Sequence, residues 1–198
     1  MKTTDAGSRY LQDCRRILGD IAEAELAAAG HYAEPSGTLA ITAASMFGHL
    51  HVLPLVLDYL DAYPGMHART FFVDRPVNIV DEGIDVAIRI GHLADSGFTA
   101  IQVGSVRRVI CAAPSYLEKY GVPATPAELK HHRIVVSQSA WASPEWRFAE
   151  GQRVLVDPVL QSNTNESAIA TARAGWGLTR VLSYQAGPSL QELSLIHI

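Results

Sequence analysis

Two polar segments of this sequence have residue types suited to binding a small anion. Ser45 follows an apolar, strand-like run and precedes a helical pattern, and the segment Asn163-Thr164-Asn165 occupies the same kind of position later in the chain. A helix start presents unpaired backbone N–H groups and the positive end of the helix dipole, which together suit a carboxylate. Ser and Asn are equally expected there as plain N-caps, so binding and capping both stay open for each segment alone.

Further binding candidates follow from position along the chain rather than from a motif. Met46 comes directly after Ser45, and Asp74, Arg75 and His92 stand where predicted strands end. In an open parallel sheet, ligands bind beyond the carboxyl ends of the strands. These residues are therefore predicted to line the same ligand site as the two helix starts.

Metal and nucleophile chemistry is poorly represented. The eight histidines include His49, His51 and the pair His131-His132, but helical residues two apart do not face each other and adjacent histidines rarely ligate one ion. Cys111 lies in an apolar run, which is typical of a buried, inert thiol. The sequence contains no G-x-S-x-G, P-loop, H-E-x-x-H or C-x-x-C motif. We therefore expect no metal, no cofactor and no catalytic activity.

Composition restricts the class of protein. The 198 residues are 48% hydrophobic and 18% charged, which is enough to bury a core, and the formal net charge of −4 offers little for a nucleic acid to bind. Two cysteines and the absence of an apolar leader favour a reducing cytoplasm. No apolar run approaches the roughly 20 residues that span a bilayer.

The elements that must position the candidate residues begin with residues 36–92. Strand-like runs at Thr38–Ala43, Ala68–Val73 and Val86–Ile90 alternate with a helical pattern that Tyr63-Pro64-Gly65 ends and with a second, short helix. Pro54 either kinks the first of these helices or opens its second segment. Such β-α-β-α-β units form parallel sheets.

The segment from residue 8 to residue 29 reads as one helix. Its apolar positions follow a 3-4-3-4 spacing at Leu11, Cys14, Leu18 and Ile21. The pattern fits either a coiled-coil seam between two chains or an ordinary amphipathic helix that packs on its own domain.

The second half of the chain continues the alternation. Capping boxes are predicted at Ser115 and Thr125, and Gly121 is predicted to end the helix that Ser115 begins. A strand is expected across residues 98–113, where Arg107 and Arg108 interrupt an apolar run. Further strands are predicted at 134–136, 141–148, 154–156 and 178–184, and a helix at 167–174, with Trp141, Trp146 and Phe148 assigned to the core.

Three long motifs resemble the effector-binding domain of LysR-type transcriptional regulators: LAITAASMFGHLHVLPLVLDYLDAYP, VDRPVNIVDEGIDVAIRIGHLADS and VGSVRRVICAAPSYLEKYG. The resemblance runs from about Gly7 to about Gln185. It implies an α/β fold of two lobes, similar to type-2 periplasmic binding proteins, with a small-molecule effector between the lobes. It also implies that residues 8–29 are a linker helix that pairs subunits into a dimer or tetramer, and that DNA is bound only through a winged helix-turn-helix domain absent from this sequence.

The resemblance also sets the expected boundaries. Residues 1–35 would be the linker helix and connector, and residues 36–188 an incomplete effector domain, with lobe I at about 36–105 and lobe II at about 106–188. The ending LQELSLIHI matches nothing expected of the family, so residues 189–198 are predicted to be a non-native tail. The alternative function is a solute-binding protein of a transport system, which would share the two lobes.

Overall fold

The computed structural model describes residues 34–91, 93, 95–137 and 145–198, with the backbone alone at residue 150, and within the N-terminal segment residues 4, 6–7, 10–11, 13–14, 17–19 and 21. The chain divides into two compact units, Met1–Arg89 and Ile90–Ile198.

The first unit contains a three-stranded parallel sheet in the order β2-β1-β3, formed by β1 (Gly37–Ala43), β2 (Met66–Phe72) and β3 (Val86–Ala87). The central strand β1 is the most deeply buried, with Ala43 and Thr42 both fully inaccessible to solvent. The parallel order confirms the prediction made from the alternation of strands and helical patterns.

A continuous helical stretch connects β1 to β2. It consists of α1 (Ser45–Phe47), a π-helical segment (Gly48–Val52) and α2 (Leu53–Ala62). Pro54 lies in the first turn of α2 and opens this second segment, as one of the two alternatives predicted. Because proline has no N–H group, it fits best where no intrahelical hydrogen bond is required of it.

The predicted short helix after β2 is wrong. Residues 79–83 form turns. The Asn78 side-chain oxygen accepts hydrogen bonds from the amides of Val80 (3.2 Å) and Asp81 (3.3 Å), as a helix N-cap does. Gly83 has a φ of 60°, the left-handed conformation that ends helices, so the capped turn is not extended. Strand β3 is also shorter than predicted.

The second unit contains a five-stranded sheet in the order β10-β4-β9-β5-β8 and a separate two-stranded hairpin. Strands β5, β8 and β9 run parallel, whereas β4 is antiparallel to β9 and β10 is antiparallel to β4. The bounds of the sheet strands are β4 Arg108–Ala112, β5 Ile134–Ser137, β8 Pro158–Ser162, β9 Leu178–Leu182 and β10 Ile196–His197. The hairpin strands are β6 Glu145–Arg147 and β7 Arg153–Leu155.

Helices and a buried aromatic cluster complete the second unit. The helices are α3 (Pro114–Tyr120), α4 (Asn165–Arg173) and α5 (Ser183–Gln191), with 3₁₀ segments at Pro126–His131 and Ala149–Gly151. Trp146 and Tyr116 are 2% and 1% exposed and lie in one cluster with Ile134 and Leu178, against which Phe148 packs. The core assignment of Trp146 and Phe148 is therefore confirmed, and Trp141 lies outside the described residues.

Several local predictions for the second unit need correction. The strand predicted across residues 98–113 begins only at Arg108. The capping box predicted at Ser115 is absent, since α3 begins at Pro114 after Ala113, which has no capping side chain. The Thr125 side chain is at an N-cap position but accepts no capping hydrogen bond. The predicted strand to residue 184 ends at Leu182, because the Gln185 side-chain oxygen accepts a hydrogen bond from the Leu182 amide (2.8 Å) and closes the first turn of α5. Gly121, with a φ of 83°, ends α3 as expected.

Residues 189–198 pack against the second unit. Leu195 is 1% exposed, the Ile198 amide donates to the Ile110 carbonyl oxygen (2.9 Å), and β10 pairs with β4. These residues were not expected to be part of the fold, but β10 pairs with β4 and covers that edge of the sheet. Their non-native origin stays a prediction.

Candidate functional site

The junction between β1 and α1 holds Ser45, Met46 and Asp74 close together. The Ser45 amide donates a hydrogen bond to Asp74 Oδ1 (3.0 Å), and the Ser45 hydroxyl donates to the Phe72 carbonyl oxygen (3.2 Å). The N-cap position belongs to Ala44, which has no capping side chain, so the expectation that Ser45 is the cap is wrong. A carboxylate at the end of β2 takes the capping role instead, where the helix dipole favours negative charge.

This contact changes the chemistry that the first junction can offer. An external anion could reach the Ser45 amide only by displacing the Asp74 carboxylate or by lying beside it, and like charges repel at such a distance. The first junction therefore suits a hydrogen-bond donor of a ligand better than a carboxylate.

Arg75 is held by a carboxylate of its own chain. Its guanidinium donates to both carboxylate oxygens of Glu82, at 3.0 and 3.1 Å, and to the Pro76 carbonyl oxygen at 3.1 Å. The hydrogen bond with Glu82 raises the pKa of Arg75, and the same bond lowers the pKa of Glu82. Arg75 is exposed and Glu82 is half-buried, and their ion pair joins the two ends of the 75–82 segment. His92 lies outside the described residues.

The junction between β8 and α4 is arranged differently. Thr164 is the N-cap, and its hydroxyl oxygen accepts from the Ser167 amide (3.2 Å) and donates to the Ser167 hydroxyl (2.9 Å). The helix starts at Asn165, two residues earlier than predicted. Within the part of the chain that the structure describes, the Asn165 and Glu166 amides have no acceptor, as the first amides of a helix commonly do not.

A buried hydroxyl lies at the carboxyl end of β5, beside this junction. Ser137 pairs in register with Ser162, the last residue of β8 before Asn163. Its hydroxyl oxygen is buried and has no hydrogen-bond partner among the described residues, which leave out 138–144. Buried polar groups are almost always paired, so this hydroxyl is a candidate ligand contact. Ser137 could have been selected from the sequence, because it is the polar residue that ends the apolar run IVVS.

Arg89 is a second residue that the sequence analysis did not select. It is half-buried, and its Nη2 donates to the hydroxyl oxygen of Thr42 (3.3 Å), which in turn donates to the Phe71 carbonyl oxygen (2.7 Å). Burial lowers the pKa of Arg89, while the Glu82 charge opposes that shift. An arginine inside an apolar strand-like run, VAIRIG, was the signal that could have identified it.

The described residues offer neither a metal-binding cluster nor a membrane-spanning helix. No group of three or more His, Cys, Asp and Glu side chains among them is placed to hold a metal ion. None of the helices described there is both long and apolar enough to span a bilayer. Cys111 is fully buried, and burial raises the pKa of its thiol to about 11, so the thiol stays protonated at neutral pH.

The LysR substrate-binding domain model matches residues 33–198, and the chain therefore belongs to this family. A transcriptional regulator of the helix-turn-helix type from Haemophilus influenzae is 30% identical over 198 residues, which cover 98% of this chain and 69% of the relative. One from Xanthomonas campestris is 29% identical over 95% of this chain and 57% of its own length. The E. coli transcriptional activator AaeR is 34% identical over 65% of this chain and 42% of its own length.

Solved structures show the same fold. The regulatory domain of the LysR-type regulator CrgA from Neisseria meningitidis matches with a TM-score of 0.73 at 23% identity, covering 83% of this chain and 81% of that domain. Full-length AphB from Vibrio cholerae matches with a TM-score of 0.75 at 21% identity, covering 100% of this chain and 68% of that protein. The family resemblance and the two-lobed, periplasmic-binding-protein-like α/β fold class are thus confirmed. The relatives are transcriptional regulators rather than transport proteins, which leaves the solute-binding alternative without support.

Proposed function

We propose that this chain senses a small metabolite for a LysR-type regulator whose complete form works in the cytoplasm and binds DNA through a separate helix-turn-helix domain. The effector is proposed to carry a carboxylate or a similar polar anionic group. Its binding would favour one arrangement of the regulator over another, and this differential affinity is what would transmit the signal. The chain spans little more than half to about two thirds of its first relatives, so the activity of the whole protein is part of the proposal.

The observation that carries the proposal is a helix that begins directly at the carboxyl end of a parallel strand in each unit. Ser45 follows β1, and the Thr164-capped start of α4 follows β8. Parallel α/β sheets bind their ligands at such ends. Membership of a substrate-binding family makes ligand contact, rather than capping alone, the better explanation of these two junctions.

Each junction is proposed to offer its own chemistry to an effector. In the second unit, the α4 start offers the amides of Asn165 and Glu166 and the buried Ser137 hydroxyl, which suit a carboxylate. In the first unit, Asp74 suits a hydroxyl or amino group. Around these, Ser45, Met46, Arg75, His92, Asn163 and Thr164 remain the proposed contacts.

Pairing of subunits through the N-terminal helix is also proposed. The described residues between 6 and 21 are helical, and Leu11, Leu18 and Ile21 are 44%, 65% and 50% exposed. A stripe of exposed apolar side chains at heptad-like spacing is stabilised when it is buried against a second helix. Cys14 lies on the same stripe.

A thermal-shift screen of small carboxylates on the complete protein tests the proposal. An effector at about 100 times its dissociation constant stabilises the fold by about 2.7 kcal/mol. For a domain of this size that corresponds to a rise in Tm of about 5–11 °C. Ser45→Ala and Asn165→Pro, which removes the amide donor at the first position of α4, should reduce the ligand-induced rise. Ser115→Ala is the matched control, because Ser115 lies in the first turn of α3 at the end of an antiparallel strand.

The comparison must use the ligand-induced rise rather than Tm itself, since each substitution also changes the stability of the free protein. If an effector is found and its rise is unchanged in both Ser45→Ala and Asn165→Pro, the helix starts do not bind it. An equal loss in Ser115→Ala would show that the substitutions act through general stability.

A further inference from the structure

Arg180 lies on the Trp146 face of the second unit. Its guanidinium carbon is 4.6 Å from the centroid of the Trp146 ring, and its side chain is half-buried. In the antiparallel β4–β9 pair, Ile110 is opposite Arg180 and Arg108 is opposite Leu182. Alternate residues of a strand share a face, so Arg108 and Arg180 stand diagonally on one side of the sheet. The face is the one on which Ile110 and Trp146 form the core cluster.

No carboxylate neutralises this pair of arginines among the residues that the structure describes. The hairpin acid Glu145 is engaged with Arg147 (3.0 Å) and Arg153 (3.5 Å). The sequence between β5 and β6, residues 138–144, contains no Asp or Glu. Burial, and to a lesser degree the Arg108 charge, lowers the pKa of Arg180 to about 10. Arg180 is therefore charged at neutral pH, and none of the described side chains forms an ion pair with it.

A half-buried cation without a partner destabilises the folded chain, because it loses hydration and gains no ion pair in return. The indole ring compensates only in part, since cation–π contacts are weaker than a hydrogen-bonded ion pair. The N–H groups of a guanidinium lie in its plane, so stacking on a ring leaves them free at the edge of the group. A carboxylate can accept hydrogen bonds there with both of its oxygens.

We propose that Arg180 and Arg108 form a binding site for a small carboxylate ligand on the Trp146 face of the second unit. The Arg180 fork would donate to both carboxylate oxygens, Arg108 would add a second positive charge, and Trp146 would hold the fork in place. None of these residues belongs to the helix starts of the proposed function, and the site does not depend on that proposal. Nucleic acid is disfavoured as the ligand, because the two arginines lie on a chain of net charge −4.

The fluorescence of Trp146 provides a direct test on the 198-residue chain. Trp141→Phe and Trp176→Phe together leave Trp146 as the only tryptophan. Sodium acetate is then titrated while sodium chloride keeps the ionic strength constant, and sodium phosphate serves as a second probe. We expect a saturable change in Trp146 emission with acetate, because the bound carboxylate neutralises the guanidinium charge that lies over the ring.

Variants identify the residues that bind. Arg180→Met, which keeps an apolar stem on the ring, should weaken acetate binding by at least tenfold, and Arg108→Met by a few-fold. Arg180→Lys keeps the charge without the fork and should give an intermediate loss. The matched control is Arg173→Met, which removes an exposed arginine from the same unit that is paired with Glu192 at 3.5 Å. It should bind acetate as the unsubstituted chain does.

The free protein provides a second readout. Arg180→Met should melt at or above the temperature of the unsubstituted chain, because it removes an uncompensated charge. A large fall in melting temperature would make Arg180 a structural anchor and contradict the proposal. The proposal is also overturned by a response that does not saturate, by acetate affinity that survives Arg180→Met, by an equal loss in Arg173→Met, or by phosphate binding far more tightly than acetate.

Discussion

The Asp74 carboxylate determines which chemical groups the start of α1 can bind. It accepts a hydrogen bond from the Ser45 amide at 3.0 Å, and the two residues are 29 positions apart in the sequence. The position of Ser45 could be predicted, because an apolar strand pattern changes to a helical pattern at that point. The contact with Asp74 could not, because it depends on the register of β2 against β1 and on how the chain leaves β2. Candidate residues were thus predictable as positions, whereas their available donors and charges were not.

His132 should make the stability of the second unit pH-dependent. The buried Tyr116 hydroxyl oxygen accepts a hydrogen bond from the Arg133 amide (3.0 Å) and lies 3.3 Å from Nδ1 of His132. The Tyr116 hydroxyl donates to Nδ1 when the neutral ring carries its proton on Nε2. Burial is the main reason that the pKa of His132 is lowered from its ordinary 6.5, the His131 charge lowers it further, and Glu128 opposes the shift.

Because folding disfavours the protonated form of His132, the unfolded chain binds more protons between the folded-state pKa and about 6.5. The free energy of unfolding should be highest above that range and should fall as the pH decreases through it. His132→Asn keeps a hydrogen-bond acceptor for Tyr116 but does not titrate. Its free energy of unfolding should therefore fall less than that of the unsubstituted chain when the pH is lowered. Urea unfolding between about pH 7.5 and about pH 5 measures this difference.

His131→Asn is the control for His132→Asn, since His131 is exposed and adjacent in sequence. It should retain most of the pH dependence of the unsubstituted chain. The same pH dependence in His132→Asn as in the unsubstituted chain would contradict the assignment of this group.

At the scale of the elements, hydrophobic periodicity predicted the parallel first-unit sheet and most strands of the second unit. It failed where a single residue decided the local structure. Gly83 ended the expected helix after one turn, and Gln185 started α5 inside a run that reads as strand. Strand β8 was not predicted, because Val159 and Leu160 are exposed and its alternation is weak. Side-chain bonds to the backbone are too local for a periodicity argument to detect.

The turn between α4 and β9 requires Gly177. A Cβ atom at this position would lie 2.6 Å from the Arg133 carbonyl oxygen, which also accepts a hydrogen bond from the Leu178 amide at 2.8 Å. Gly177→Ala should therefore destabilise the chain by about 1–3 kcal/mol in urea unfolding. Gly104→Ala is the control, since a Cβ there meets nothing within 4 Å, and it should not destabilise the chain. Equal stability of the two variants would show that the turn relaxes freely.

The C-terminal segment provides the second test at this scale. Leu195 is 1% exposed and Leu193 is 76% exposed, two residues apart in the same segment. Leu195→Ala should cost about 2–5 kcal/mol, as a large-to-small change in a core does. Leu193→Ala should change stability by less than about 0.5 kcal/mol. If both variants unfold alike, the segment does not pack on the sheet as the structure has it, and residues 189–198 contribute nothing to the fold.

At the scale of the whole molecule, family membership supports a role that neither unit could show alone. A LysR-type regulator must couple effector binding to DNA binding, and by linkage each ligand changes the affinity for the other by the same factor. The exposed stripe of Leu11, Leu18 and Ile21 is the part of this chain that pairing of subunits would bury. The long family motifs allowed this class to be predicted, since they extend over most of the chain. The identity of the effector depends on donors and charges that only folding brings together.

DNase I footprinting of the complete protein, on DNA that it selects from a random pool, tests the central claim most directly. Once the thermal-shift screen has identified an effector, it should change either the affinity for this DNA or the extent of protection. Asn165→Pro, which removes the amide donor at the first position of α4, should abolish that change, and Ser115→Ala should retain it. An effector that binds the protein but leaves the footprint unaltered in extent and in affinity would contradict the claim that this chain senses a metabolite for a transcriptional regulator.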